Sequence, residues 1–271
     1  MEPRTYLFVP GNRPERFGKA LASRADAIVL DLEDAVAAEA KGQARAAIGD
    51  WAAGANAADR ARAVVRINAA GSAGFADDLS LLRQAGLAAL MLPKAESPDQ
   101  IHAVRTALPG ARVLALIESA RGVSNVDAVA ASPGVVRLVF GTLDLALDLD
   151  LDIADHADGL SHAASNLTVA SRLADLASPV AGVTPQIDDQ PRLLADLAWA
   201  RRHGLHSKLC VHPVQVEAIH AALAPSRQSI EWAQRVLAAE AASPGAARLD
   251  GRMIDRPVVL QAQRTLQRAA G

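Results

Sequence analysis

A single (β/α)8 TIM barrel with a short C-terminal helical extension is the fold that this sequence predicts. Three observations carry the expectation: the chain length, a series of short apolar runs, and the charged residues that end those runs. The chain has 271 residues, which suits one such barrel and is short for two enzyme domains with linkers. Eight runs follow one another: TYLFVP (5–10), AIVLDLE (27–33), AVVRIN (63–68), ALMLPK (89–94), RVLALIES (112–119), VRLVFGTLD (136–144), PVAGVTP (179–185) and SKLCVHP (207–213). Most are continuously apolar rather than alternating, as parallel strands buried on both faces are. Between them lie Ala-, Leu- and Arg-rich segments of helical composition, among them 14–23, 77–85, 98–108 and 190–203. Eight βα alternations close most simply into a barrel, and a doubly wound open sheet is the alternative that the pattern leaves standing.

Composition narrows the function classes. Apolar residues make up 51% of the chain and aromatic residues only 3%, so the core must be built from Ala, Val, Leu and Ile. A formal net charge of −2 provides no global field for nucleic acid or an anionic membrane. A polyanionic ligand would need a local cluster of Lys and Arg. The start, Met1-Glu2-Pro3-Arg4, lacks the basic and then apolar build of a secretory signal. No apolar run approaches the roughly 18 residues of a membrane span. Cys210 is the one cysteine, which rules out an intrachain disulfide and a cysteine metal cage. A reduced, cytoplasmic setting is expected. Residues 226–271 hold two further helical segments around the loop DGRMID (250–255), so the expected division is a barrel over 1–225 and an extension over 226–271.

Charged and polar residues collect where a barrel has its active-site mouth. Asp31 and Glu33 close the second run, Arg66 and Asn68 the third, Lys94 the fourth, Glu118 the fifth, Asp144 the sixth and His212 the eighth. Buried charges are costly unless they are paired or bind something. Glu118 and Asp144, on adjacent runs, would face one space. Two carboxylates with open positions for water and substrate suit Mg²⁺, although acids that cap helices or pair with Arg121 would give the same pattern. Arg66 could hold a carboxylate or enolate oxygen by two parallel hydrogen bonds. It could equally pair with Asp31 or Glu33, which read as residues that orient Arg66 or metal-bound water.

Lys94 invites a Schiff-base role but reads better as an ion-pair partner, kept protonated by Glu96 and the acidic strand ends. Arg13, Arg16 and Lys19 fall at i, i+3 and i+6 on a helix that begins near Pro14. Such a face is either a phosphate site at a helix N-terminus or a solvated surface. His212 is placed for function or for a structural hydrogen bond, and Cys210 reads as a small buried hydrophobe. HExxH, GxGxxG, Walker A and GxSxG are all missing, which weighs against zincin, dinucleotide, P-loop and serine-hydrolase chemistry.

The segments LFVPGNRPERFGKAL, AIVLDLEDAV, VVRIN, LMLPKAES, LALIESARGV, VFGTLDLALDL, KLCVHPVQV and DGRMIDRPVV together resemble a known family. It is the citrate lyase β-subunit-like family of citryl-, citramalyl- and malyl-CoA lyases, within the HpcH/HpaI-type aldolases. The likeness runs in order from about residue 5 to residue 262. It implies a (β/α)8 barrel, usually trimeric or hexameric, with a Mg²⁺-dependent Claisen or retro-Claisen reaction on a coenzyme A thioester. Glu118 and Asp144 match the metal ligands, and Arg66 the arginine that holds the substrate carbonyl region. Arg13, Arg16 and Lys19 match the region that contacts the CoA phosphates. Asp255 matches an acid that the tail of a neighbouring subunit delivers. One departure is visible: the seventh strand commonly reads Asp-Gly, and here it reads Ala181-Gly182. The expected reaction is cleavage of a 3-hydroxyacyl-CoA, citryl-CoA- or citramalyl-CoA-like, to acetyl-CoA and a 2-oxo acid. A free-acid aldolase of the HpcH type and a carrier-dependent β subunit in a larger complex are the alternatives.

Overall fold

Short strands that are apolar on both faces need cover on both, and here they receive it by closing into a ring with helices outside. The computed structural model describes residues 2–243, 245 and 247–269. Eight strands form the ring: β1 (Thr5–Pro10), β2 (Ala27–Asp31), β3 (Ala63–Arg66), β4 (Ala89–Leu92), β5 (Arg112–Ile117), β6 (Val135–Phe140), β7 (Val180–Ala181) and β8 (Ser207–Cys210). Each pairs in parallel with the next, and β8 returns to β1 with Thr5 opposite Lys208. The barrel expectation holds, and the open sheet is excluded by that closing pair.

All eight strands contribute to one buried cluster, which includes Tyr6, Val29, Val64, Met91, Leu114, Val139, Val180 and Leu209. Side chains drawn from every strand can meet only in the lumen, so the lumen is a packed core. It is poor in aromatics, as the composition requires. Arg137 lies at the N-terminal end of the strands, only 3% exposed. It donates to the carbonyls of Ser178 (2.7 Å) and Pro3 (2.8 Å), to the Tyr6 hydroxyl (3.1 Å) and to Ser207 Oγ. Lys208, opposite Ala181 in register, is also buried and donates to the Gly182 carbonyl at 2.6 Å. Desolvation pulls its ammonium down to about 8.

Two expected elements are drawn differently. The sixth run was expected to reach Asp144 as strand, but β6 stops at Phe140 and the helix Thr142–Asp148 begins after Gly141. A Cβ on Gly141 would overlap the Glu118 side chain, so a bare backbone is needed where the chain turns beside the neighbouring strand end. The segment 14–23 is split as well. Pro14–Arg16 forms a 3-10 turn, and the helix proper is Phe17–Ala22.

The chain divides by its contacts into residues 2–219 and 220–271. In the second unit the helices Arg227–Ala242 and Arg256–Ala269 flank a hairpin of β9 (Arg248–Leu249) and β10 (Arg252–Met253). Its turn is Asp250-Gly251, both at positive φ (50° and 77°), the backbone that a tight two-residue hairpin requires. Ala233, Val236, Ala247, Ile254 and Ala262 form that unit's own core. Among the described residues no helix is long and apolar enough to cross a membrane.

Candidate active site

A cavity of about 750 Å³ opens at the C-terminal ends of the barrel strands. Phe8, Asp31, Asp34, Arg66, Glu118, Asp144 and His212 line it, together with Arg16 and Lys19 from the segment after β1. The closed strand order explains the gathering. Side chains separated by more than a hundred residues in sequence converge because their strands end on one rim.

Glu118 follows β5 directly and is 5% exposed. Its Oε1 accepts the backbone N–H of Lys94 at 2.8 Å. Lys94 adopts a left-handed backbone (φ 49°), a conformation that costs a non-glycine residue energy and recurs at functional sites. Burial, helped by the charges of Glu33 and Asp144, raises the Glu118 carboxyl to about 8 despite that hydrogen bond. Asp144 reaches the same cavity from the first turn of its helix and is exposed there. The pair therefore crowds negative charge into a partly desolvated space, and a divalent cation would relieve it. Among the described residues no group of three or more His, Cys, Asp or Glu could hold a metal. Glu118 and Asp144 line one cavity, and two carboxylates with open positions are a donor set that suits Mg²⁺. Neither acid pairs with Arg121, whose ion-pair partner is Glu96 at 3.9 Å.

Arg66 ends β3 facing three carboxylates. Its Nε and Nη2 donate to the two oxygens of Asp31, both at 2.7 Å. Nη1 lies 3.0 Å from Glu33 and 3.4 Å from Asp34. Below it the Phe8 ring sits 4.8 Å from the guanidinium carbon. Burial would lower the Arg66 pKa, but the hydrogen bonds and charge of Asp31, with Glu33 and Asp34, raise it instead. Asp31 thus fixes one edge of the guanidinium, Nη1 faces Glu33 and the more exposed Asp34, and the residue lines the cavity. Burial also raises Glu33 to about 7, against the pull of Arg66. Glu33 bridges onward to Lys94 at 3.6 Å. Lys94 has its pKa raised, because Glu33, Glu118 and the other acids outweigh its desolvation. Lys94 is an ion-pair partner with Glu33, while Glu96 is engaged by Ser119 and Arg121.

Of the three cations after β1, Arg16 and Lys19 line the cavity and Arg13 is not among its lining residues. Asp255 belongs to the C-terminal unit, where it accepts the N–H of Val258 at 3.2 Å and caps the helix Arg256–Ala269. Cys210 is buried, with its thiol pushed up to about 12 by desolvation. Sequence reasoning passed over Asp34, Phe8 and Lys41. Asp34 was visible as the second acid of the Glu33-Asp34 pair, and Phe8 as an inward position two residues from Tyr6. Lys41 pins the β2 loop by donating to the Leu32 and Glu33 carbonyls and to Asn68. No local pattern marks that role.

The profile of the HpcH/HpaI aldolase/citrate lyase family matches residues 4–213. The chain belongs to this family. A citrate lyase subunit beta-like protein from Mycobacterium tuberculosis is 38% identical over 270 residues, covering 97% of this chain and 94% of that protein. A (3S)-malyl-CoA thioesterase from Cereibacter sphaeroides is 31% identical over 270 residues, covering 98% and 94%. Among solved structures, the CitE protein of M. tuberculosis in complex with magnesium, acetoacetate and coenzyme A superimposes with a TM-score of 0.88 at 36% identity, covering 99% of this chain and 98% of that one. The family resemblance read from the sequence is confirmed over the barrel.

Proposed function

We propose that this HpcH/HpaI family member is a Mg²⁺-dependent carbon–carbon lyase that cleaves a 3-hydroxyacyl-CoA to acetyl-CoA and a 2-oxo acid. One observation carries the reading: Glu118, Asp144, Arg66, Arg16 and Lys19 all line a single cavity. Its two ends offer what the two ends of such a substrate need, carboxylates for a cation at one and the side chains of Arg16 and Lys19 for phosphates at the other. The M. tuberculosis relative solved with magnesium and coenzyme A supports the same pairing of ligands.

In this reading Glu118 and Asp144 hold Mg²⁺. When bound, the ion supplies Lewis-acid polarisation of the hydroxyl and carboxylate oxygens on the acid-derived half. The hydroxyl proton would pass to water at the open mouth of the cavity, the bond between C2 and C3 of the thioester would break, and the electron pair would move onto the thioester oxygen. The Arg66 guanidinium donates to that oxygen and is kept in orientation by Asp31. Asp255, arriving from the tail of a neighbouring subunit in a trimer or hexamer, returns a proton to the acetyl carbon. Arg16 and Lys19 bind CoA phosphates from the cavity wall, and Arg13 stands outside that lining.

Purified protein incubated with citryl-CoA, citramalyl-CoA or malyl-CoA, with and without Mg²⁺, tests the proposal. Acetyl-CoA, 2-oxo acid and free thiol are measured together. Mg²⁺-dependent release of acetyl-CoA and a 2-oxo acid in equal amounts from one of them is expected, and Ala at Glu118 or Asp144 abolishes it. Free thiol without a 2-oxo acid would make the protein a thioester hydrolase. Turnover of the free hydroxy acids would make it an aldolase, and activity only on acyl-carrier thioesters would make it a carrier-dependent subunit.

A further inference from the structure

His212 follows β8 and is exposed on the wall of the cavity that also holds Arg16 and Lys19. Because β8 pairs with β1, this wall stands beside the two cations and across the ring from the ends of β5 and β6. A thioester that reacts beside Glu118, Asp144 and Arg66, with its phosphates on Arg16 and Lys19, spans a mouth that His212 also lines. The neighbours of His212 on the β7 and β8 side, Val183, Leu209, Val211 and Pro213, are apolar. A polar group laid against them loses water and needs a donor or an acceptor.

The imidazole supplies a donor of fixed identity. Its Nδ1 accepts the backbone N–H of Val214 at 3.3 Å, the first residue of the helix Val214–Leu223. A ring nitrogen that accepts carries no hydrogen, so the proton resides on Nε2. One side of the ring caps a helix, and the other presents an N–H.

We propose that His212 Nε2 donates a hydrogen bond to an amide carbonyl of the pantetheine arm as the acyl-CoA substrate crosses this wall. The proposal rests on the thioester reading above and assigns a positioning and specificity role to a residue outside the acid–arginine centre. It distinguishes CoA thioesters from short thioesters that lack those amides.

The two nitrogens can be separated by substitution. His212→Asn places an amide oxygen near the Nδ1 position, preserving the cap while losing the far donor. His212→Gln extends an amide N–H toward the Nε2 position and loses the cap. Titration calorimetry with CoA and acetyl-CoA, thermal melting, and kinetics on the best acyl-CoA are run on all three proteins. Loss of one neutral hydrogen bond predicts that His212→Asn binds CoA about fivefold more weakly and raises KM about fivefold, with kcat within about twofold. It should melt with the unsubstituted protein and handle an amide-free short thioester equally well. His212→Gln should keep CoA affinity within about twofold. Unchanged CoA affinity in His212→Asn, with tight binding by the unsubstituted protein, overturns this inference and leaves the thioester reading standing. No CoA binding by the unsubstituted protein overturns both.

Discussion

Glu118 and Glu33 each hold a proton more tightly in the folded protein than in the unfolded chain, at about 8 and about 7, because burial disfavours their anions. The folded state therefore binds more protons than the unfolded state from about pH 4.5 to those values, so stability falls as pH rises through that window. Metal-free protein should lose melting temperature between about pH 5 and pH 8. Saturating Mg²⁺ should flatten the decline, because only the ionised carboxylates bind it, and Glu118→Gln should remove a large part of it. Melting curves at fixed ionic strength across that range decide the matter; a flat metal-free profile would refute the buried-acid account. At this scale the sequence showed which strand ends carry charge, Glu118 and Arg66 among them, each at the close of an apolar run. It offered Asp31 or Glu33 as partners for Arg66 and did not choose between them. Whether Arg66 faces Asp31, Glu33 or Asp34, and whether Lys94 finds Glu33 or Glu96, depends on how separate strand ends meet once the barrel closes.

Asp144 shows the same limit for elements. Apolar periodicity places VRLVFGTLD on one strand, yet the chain turns at Gly141 and carries the acid on a helix. The signal was present as a glycine after the last β-branched and aromatic positions, but its reason is tertiary: the Glu118 side chain occupies the space where a Cβ would go. The Asp250-Gly251 hairpin, by contrast, is a local signal that the reading of 250–255 as a plain loop passed over. Gly141→Ala follows from the packing. The added methyl must displace Glu118 or the helix start, and overpacking of this kind costs about 1–3 kcal/mol. A lower melting temperature should come with Mg²⁺ affinity weakened more than tenfold, because the displaced atoms are those of a carboxylate assigned to the cation. Calorimetric Mg²⁺ titration of the variant checks this. Wild-type affinity there would separate Glu118 from the metal.

For the whole molecule, barrel closure was legible because eight apolar runs of similar length leave few other ways to cover both faces. What locks the closure was not. Arg137 reads in sequence as one charge inside VRLVF, and in the fold it ties Pro3 before β1, Ser178 before β7 and Ser207 at the start of β8. Those groups span the seam where the last strands return to the first. No acid within its hydrogen-bonding set neutralises it; backbone carbonyls and hydroxyls do the work of satisfying the guanidinium. Replacing it by Met keeps an apolar stem of similar reach but strands the Ser178 carbonyl without its donor, while the Pro3 carbonyl keeps the Ser207 hydroxyl at 2.9 Å. An acceptor left unsatisfied in the interior costs about 1–3 kcal/mol, so Arg137→Met should lose about that much stability. The substitution lies at the N-terminal end of the strands and the cavity at the C-terminal end, and in barrels of this type the two ends divide stability from catalysis. Denaturant unfolding should therefore show the loss, while KM and kcat measured well below the melting temperature stay near those of the parent. A variant with parental stability would mean that the seam is held by strand pairing alone; one with a raised KM would mean that it shapes the mouth of the barrel as well as its base.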